Sequence, residues 1–240
     1  MKKPTLLIFI FCIFYGSLYS KEAWDSFKNE TISKMSNIEG WCGEDKARQM
    51  MDIIQRYKCK NCVEIGVFSG KSLFPIARAL QFNGNGVVFA IDAWNVTEAT
   101  KGFNKKNPNY VWWNQINYKK THQDTIRLII DNGLDNQCHI LKQSSQQALN
   151  SFSDKSIDFI HFDGNHNEDI YFEDVSNYFS KVKNNGFIVL NDPNWVTSKL
   201  ALVFLLERTE LISTFSPSAT YFVFRKNKIR LEAANELYNN

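Results

Sequence analysis

The sequence predicts an α/β fold: a Rossmann-like, doubly wound, mostly parallel sheet of seven strands, with a C-terminal antiparallel hairpin and helices on both faces. Three observations predict it. Strand-like and helix-like segments alternate five times before two strands follow in succession. Such alternation implies parallel strands joined by right-handed crossovers. A glycine turn from Gly66 to Gly70 joins the first strand to its helix. Residues able to bind or react (Gly66, Asp92, Ser144, Asp163, Asp192) each follow a strand at its C-terminal end, which is where these sheets hold ligands.

Residues 1–20 read as a signal peptide or N-terminal anchor. Lys2 and Lys3 precede an apolar core from Leu6 to Tyr15, and the small residues Gly16, Ser17 and Ser20 follow. The core is short for a membrane span. Cleavage after Ser20 would leave a secreted or periplasmic chain without a stable membrane span; an uncleaved segment would anchor it, and a cytoplasmic location is the remaining alternative. Residues 21–58 read as a helical lid or packing segment. Trp24, Phe27, Ile32 and Met35 have helical spacing, Gly40-Trp41-Cys42-Gly43 interrupts it, and a second helix over 44–57 carries the stripe Ala47, Met50, Met51, Ile53, Ile54.

The α/β domain spans 59–226, and 227–240 is a C-terminal helix or tail. Its first strand, 62–65, stops at Gly66. A helix over 72–82, a turn at 83–86 and a second strand over 87–91 follow, ending in Asp92. The stretch 93–117 is long, polar and aromatic. Loops of that length are usually functional or disordered, and Trp94, Trp112 and Trp113 argue against disorder. A helix over 118–131 is capped by Gly133. The third strand, 138–141, leads to Ser144, Ser145 and Gln146, which open a short helix. The fourth strand, 157–163, runs into Gly164-Asn165-His166 and a helix over 168–182. The fifth, 187–190, ends at Asn191-Asp192-Pro193. A helix over 195–207 precedes strands 211–215 and 220–225, joined by Ser216-Pro217-Ser218.

Composition narrows the function. With 240 residues and 44% apolar content the chain can bury a substantial core. A formal net charge of +3 is too small to suggest nucleic acid, and no dense Lys/Arg run carries interleaved aromatics. Lys226, Lys228 and Arg230 read as a solvated face. Cys59-Lys60-Asn61-Cys62 has no second pair, so a structural zinc site is not expected. Buried thiols are the simplest reading, with a disulfide open to an exported chain.

The glycine turn decides the ligand class. Dinucleotide sites use G-x-G-x-x-G, whose glycines admit a pyrophosphate. Here Glu64, Gly66 and Gly70 form E-x-G-x-x-x-G, without that cradle. Asp92, at the end of the second strand, stands where an acid grips ribose hydroxyls.

These residues resemble the first motifs of class I S-adenosylmethionine-dependent methyltransferases. The segments 160–166 and 185–192 (Ile160-His161-Phe162-Asp163-Gly164-Asn165-His166, and Asn185-Gly186-Phe187-Ile188-Val189-Leu190-Asn191-Asp192) are similar to the methyltransferase-24 type, a small-molecule group. Asn185 stands where that group has a first glycine. The resemblance implies S-adenosylmethionine as cofactor and a small-molecule acceptor, with the methyl group passing to a hydroxyl oxygen. It implies that Glu64, Gly66 and Gly70 frame the methionine part, with Ser72 contributing. Asp92 would bind the ribose, Trp94 would lie near the adenine, and Ser144 or Ser145 would face the adenine edge.

Asp163 would stand at the methyl-transfer end, with Asp163 and His166 as candidate bases. In some related O-methyltransferases an acid after the fourth strand and another after the fifth hold Mg2+; Asp163 and Asp192 occupy those places here. The rival readings are an exported non-catalytic binding protein on the same fold and an NAD-type oxidoreductase.

Overall fold

The computed structural model describes residues 21–213 and 219–227. The signal or anchor expected at 1–20, the hairpin turn at 216–218 and the tail beyond 227 lie outside the described residues. No helix among the described residues is long and apolar enough to cross a membrane.

Helix α1 (21–35) and α2 (Glu44–Tyr57) precede β1 (Asn61–Ile65), α3 (Leu73–Asn83) and β2 (Val87–Ile91). Two short helices, α4 (Val96–Ala99) and α5 (Pro108–Trp113), lead to α6 (Tyr118–Asp131), β3 (Cys138–Leu141) and α7 (Ser145–Ala148). Then come β4 (Ile157–Phe162), α8 (Glu168–Phe179), β5 (Val182–Asn191), α9 (Lys199–Arg208), β6 (Thr209–Leu211) and β7 (Tyr221–Lys226).

The sheet order is β3-β2-β1-β4-β5-β7-β6. Strands β1 to β5 are parallel, and β7 is antiparallel to both β5 and β6. The chain winds outward from β1 through β2 and β3, then returns to the other side of β1 as β4. That reversal opens a crevice between the ends of β1 and β4. Apolar clusters cover both faces, as a parallel sheet requires. Met50, Met51, Ile54, Phe74 and Ile76 belong to one, and Tyr171, Val175, Tyr178 and Leu205 to the other.

Several local expectations change. Helix α1 is a packing element: the rings of Trp24 and Phe27 lie 4.8 and 5.0 Å from that of Phe82, and Trp24 donates to Asp52. The lid-like position falls to the connector 39–43, which lines the main cavity. Helix α8 ends at Phe179 rather than 182, and β5 begins at Val182. Asn185 adopts a φ of +66° there, which asparagine tolerates better than most residues. The chain thereby kinks between two stretches of pairing with β4. Residues 196–198 form a tight 3-10 turn, so α9 starts at Lys199. The stretch 93–117 is folded into α4 and α5, with Asn95 and Asn107 accepting from backbone N–H groups at their starts. Lys226 is buried, not solvated, because its ammonium donates to the carbonyls of Phe179 and Val182. The four described cysteines are free and buried.

Candidate active site

Five strand ends set the site in spatial order: Ser144 beyond β3, Asp92 beyond β2, Gly66 beyond β1, Asp163 beyond β4 and Asp192 at the end of β5. At about 4.8 Å per strand the row spans roughly 19 Å. A cavity of about 740 Å³ lies along it, and all five residues line it. That volume falls in the range of cofactor pockets, about 300–1,000 Å³.

The turn after β1 is set by Gly66. Its φ is +85°, and a Cβ there would stand 2.1 Å from the backbone oxygen of Asp163. The turns after β1 and β4 therefore touch backbone to backbone. Gly70 also has a positive φ, but its missing Cβ makes room for Leu128 of α6, and it does not line the cavity. Phe68 and Lys71 line the cavity in that stretch, together with Ser72 at the start of α3. Glu64 is fully buried within β1, opposite His161 of β4, with Oε1 3.1 Å from His161 Nδ1. Neither Glu64 nor Gly70, from which cofactor contacts are expected, lines the cavity.

Asp92 organises the turns after β1 and β2. One carboxylate oxygen accepts from the N–H groups of Val67 and Phe68, at 3.0 Å each, and the other from Trp94 N–H at 2.7 Å. These bonds hold Phe68 and Trp94 at positive φ. Burial raises the Asp92 pKa, with the three N–H bonds opposing it. A carboxylate offers about four lone-pair sites, so capacity for a hydroxyl donor remains. Trp94 is buried at the cavity wall, its Nε1–H donating to the Phe68 carbonyl.

At the β3 end, Ser144 caps α7 in a capping box with Gln147. Ser145 donates to Asp174 of α8, a buried residue that also lines the cavity. Burial pushes the Asp174 carboxyl up to about 7. A carboxyl whose folded pKa lies above its unfolded value binds protons more tightly when folded. Its contribution is full below the ordinary carboxylate range and is lost as pH rises toward about 7. Asp174→Asn keeps an acceptor for Ser145 and cannot ionise. Its melting temperature relative to wild type is expected to be higher at pH 8 than at pH 4; an equal offset at both would remove this assignment.

At the β4–β5 end, His166 lies between two acids. Its Nε2 is 3.6 Å from Asp163 Oδ1 and 3.9 Å from Asp192 Oδ2. The ring stacks on Tyr171 and leans on Trp195, and its side chain is 11% exposed. Neither ring nitrogen has a hydrogen-bond partner among the described residues. Burial would raise the Asp163 pKa, but Lys46, His166 and His161 outweigh it and hold the carboxyl at about 2. Asp192 is pushed the other way, by burial and then by Asp163. Asn165 anchors the turn by donating to the carbonyls of Glu98 and Lys101.

Lys46 and Trp195 are given no role by the sequence pattern, and Asn191, Trp41 and Cys42 stand in it only as parts of motifs. Lys46 of α2 donates to Asn191 Oδ1 at 2.7 Å and lies 3.5 Å from Asp163 Oδ2. Asn191 donates to Asp163 Oδ1 at 2.7 Å. Trp41 and Trp195, with Trp112, form an exposed aromatic wall at the cavity. Cys42 also lines it, but burial pushes its thiol up to about 12, which leaves it unreactive. Asp163 and Asp192 do not fit the divalent ion expected of them. Donors already face both Asp163 oxygens, and a buried ammonium stands beside that carboxylate. Among the described residues no group of three or more His, Cys, Asp or Glu side chains could hold a metal ion.

Comparison with known proteins agrees with this architecture. Residues 63–193 match the family model Methyltransf_24, described as a methyltransferase domain. No curated protein matches the chain. Among solved structures, the fold is similar to that of cofactor-bound Rv0187 from MTB, at 11% identity and a TM-score of 0.54, covering 94% of this chain and 97% of that one. It is similar to an O-methyltransferase from Bacillus cereus in complex with SAH, at 14% identity and a TM-score of 0.56, covering 85% and 91%. The SAH-bound methyltransferase PaMTH1 of Podospora anserina gives 13% identity and a TM-score of 0.56 over 95% and 98%.

Proposed function

The chain belongs to the methyltransferase-24 family of class I S-adenosylmethionine-dependent methyltransferases, and from that premise we propose that it methylates a hydroxyl oxygen of a small-molecule acceptor with His166 as general base. The observation that carries this reading is His166 itself, which lines the cavity with Nε2 within 4 Å of both the Asp163 and the Asp192 carboxylates. Asp163 is too acidic, at about 2, to take a proton near neutrality. As a permanent carboxylate it instead orients the imidazole and stabilises the imidazolium that forms.

Bound S-adenosylmethionine supplies a methyl group on a positively charged sulfur, a good leaving group for in-line displacement. The residues of this chain supply alignment. The Gly66 turn and the Asp92 carboxylate lie on the donor side, with Ser144 and Ser145 at the adenine end. Trp41, Trp112 and Trp195 offer flat apolar faces for the acceptor's body. Positioning of this kind can supply up to about 7–11 kcal/mol of a barrier, more than the base itself.

Asp92→Ala is expected to weaken S-adenosylhomocysteine binding by more than about tenfold, since an unmade bond at a buried polar site costs roughly 1–3 kcal/mol. Isothermal titration of the variant checks it. Unchanged affinity would place the ribose elsewhere. The acceptor is to be found by radiolabelled methyl transfer across fractionated metabolites; its body is expected to quench the fluorescence of the exposed tryptophans on binding.

A further inference from the structure

Lys46 is the third residue of α2, and it lies on the face that the helix turns inward. Met50 follows four residues later and Ile53 seven, and both are buried. A lysine on such a face loses its hydration and is retained at that cost only when its charge is matched. Its side chain is 4% exposed. An ammonium has three N–H donors, and three acceptors face this one: Asn191 Oδ1 at 2.7 Å, the Trp41 carbonyl at 3.5 Å and Asp163 Oδ2 at 3.5 Å. The Asn191 amide turns back and donates to the other Asp163 oxygen. Asp163 is therefore gripped at one oxygen by the lysine and at the other by the lysine's own partner.

We propose that Lys46 is the built-in cation of the methyl-transfer site, a positioning residue that fixes Asp163 where a divalent ion would otherwise be required, so that the acceptor is presented as a single hydroxyl and not as a chelated diol. The inference rests on the methyltransferase reading of the same cavity. Three features support it. A divalent ion needs several oxygen ligands, and the oxygens of Asp163 and Asn191 are already committed. Residue 193, next to Asp192, is a proline without a donor atom in its side chain. A second cation beside the ammonium would meet direct repulsion across a poorly solvated gap. Without an ion to chelate two oxygens, the acceptor is held by its body against the aromatic wall, and one hydroxyl reaches His166. Lys46 also ties the connector through Trp41 to the ends of β4 and β5, so the rim of the cavity and its floor are set by one side chain.

The test is a manganese titration of the full chain with S-adenosylhomocysteine present, read by the electron paramagnetic resonance of free Mn2+. The wild-type chain is expected to leave millimolar Mn2+ free. In Lys46→Ala the acid pair is opened, and uptake of Mn2+ is expected, abolished again by adding Asp163→Asn. In the absence of metal, Lys46→Ala is expected to lose about 10²-fold in kcat through misplacement of Asp163, with the KM for the donor unchanged and Lys46→Arg restoring part of the loss. Mn2+ uptake by the wild-type chain that Asp163→Asn removes would overturn the proposal, as would a folded Lys46→Ala chain with wild-type kcat. If Lys46→Ala does not fold, the wild-type titration and Lys46→Arg still decide. A wild-type chain that binds no S-adenosylhomocysteine would remove the methyltransferase reading itself, whereas one that binds it together with Mn2+ would remove only the role given to Lys46.

Discussion

Replacing His166 with glutamine is expected to lower methyl transfer by roughly 10²–10⁴-fold, the usual contribution of a positioned base, while S-adenosylhomocysteine binds as in wild type. The split follows from geometry. His166 lies between Asp163 and Asp192, and its Nε2 is within 4 Å of both. Asp92 and the turn at Gly66 are held by backbone bonds that do not involve it. Glutamine keeps polar atoms near the same place but cannot accept and retain a proton. Rates measured with labelled donor and the acceptor found by the screen, beside calorimetric affinities for S-adenosylhomocysteine, check both halves. A rate within a few fold of wild type would move the base to Asp192, whose carboxyl is raised by burial and by its neighbour Asp163.

The largest effect on stability is expected at Gly66. Alanine there has to accept a φ of +85° and a Cβ 2.1 Å from the Asp163 carbonyl oxygen. The left-handed backbone costs about 1–3 kcal/mol and the overlap about as much or more. Together these reach the lower end of the stability of an ordinary domain, roughly 5–15 kcal/mol. The contacting atoms are backbone in two adjoining turns, so no side-chain rotation relieves them. Gly66→Ala is expected to lower the urea midpoint sharply or to prevent folding. Gly43→Ala is the control: nothing lies within 4 Å of a Cβ there, and its φ is −67°. Its midpoint is expected to shift by no more than about 1 kcal/mol allows. Equal midpoints for the two variants would mean that the turns after β1 and β4 do not meet as described.

Much of this arrangement is legible in the chain itself, because strand ends in a doubly wound sheet are fixed by alternation alone. Gly66, Asp92, Ser144, Asp163 and Asp192 could be placed together without knowing any packing. What a linear pattern does not carry is the direction of a side chain on a strand buried from both sides. Glu64 belongs to the glycine motif, yet its side chain turns to His161 within the sheet, and Gly70 leaves room for Leu128 where a side chain would stand. Contributions from distant segments were hidden for another reason. Lys46 reads as a polar residue beside an apolar stripe, although its spacing from Met50 and Ile53 puts it on the buried face. Asp174 was hidden on a helix whose packing onto the Ser145 turn depends on the folded sheet. Lys226 misled in the same way, since two carbonyls left at the α8–β5 junction bury it.

One cavity along the strand ends is expected to hold a charged sulfur donor and to turn its methyl group toward His166. A crystal structure with S-adenosylhomocysteine tests it most directly. The ribose hydroxyls are expected at Asp92, the adenine beside Ser144 and Ser145, and the sulfur facing Asp163 and His166. A ligand bound away from the Gly66 turn, or with its sulfur directed toward β3, would contradict it.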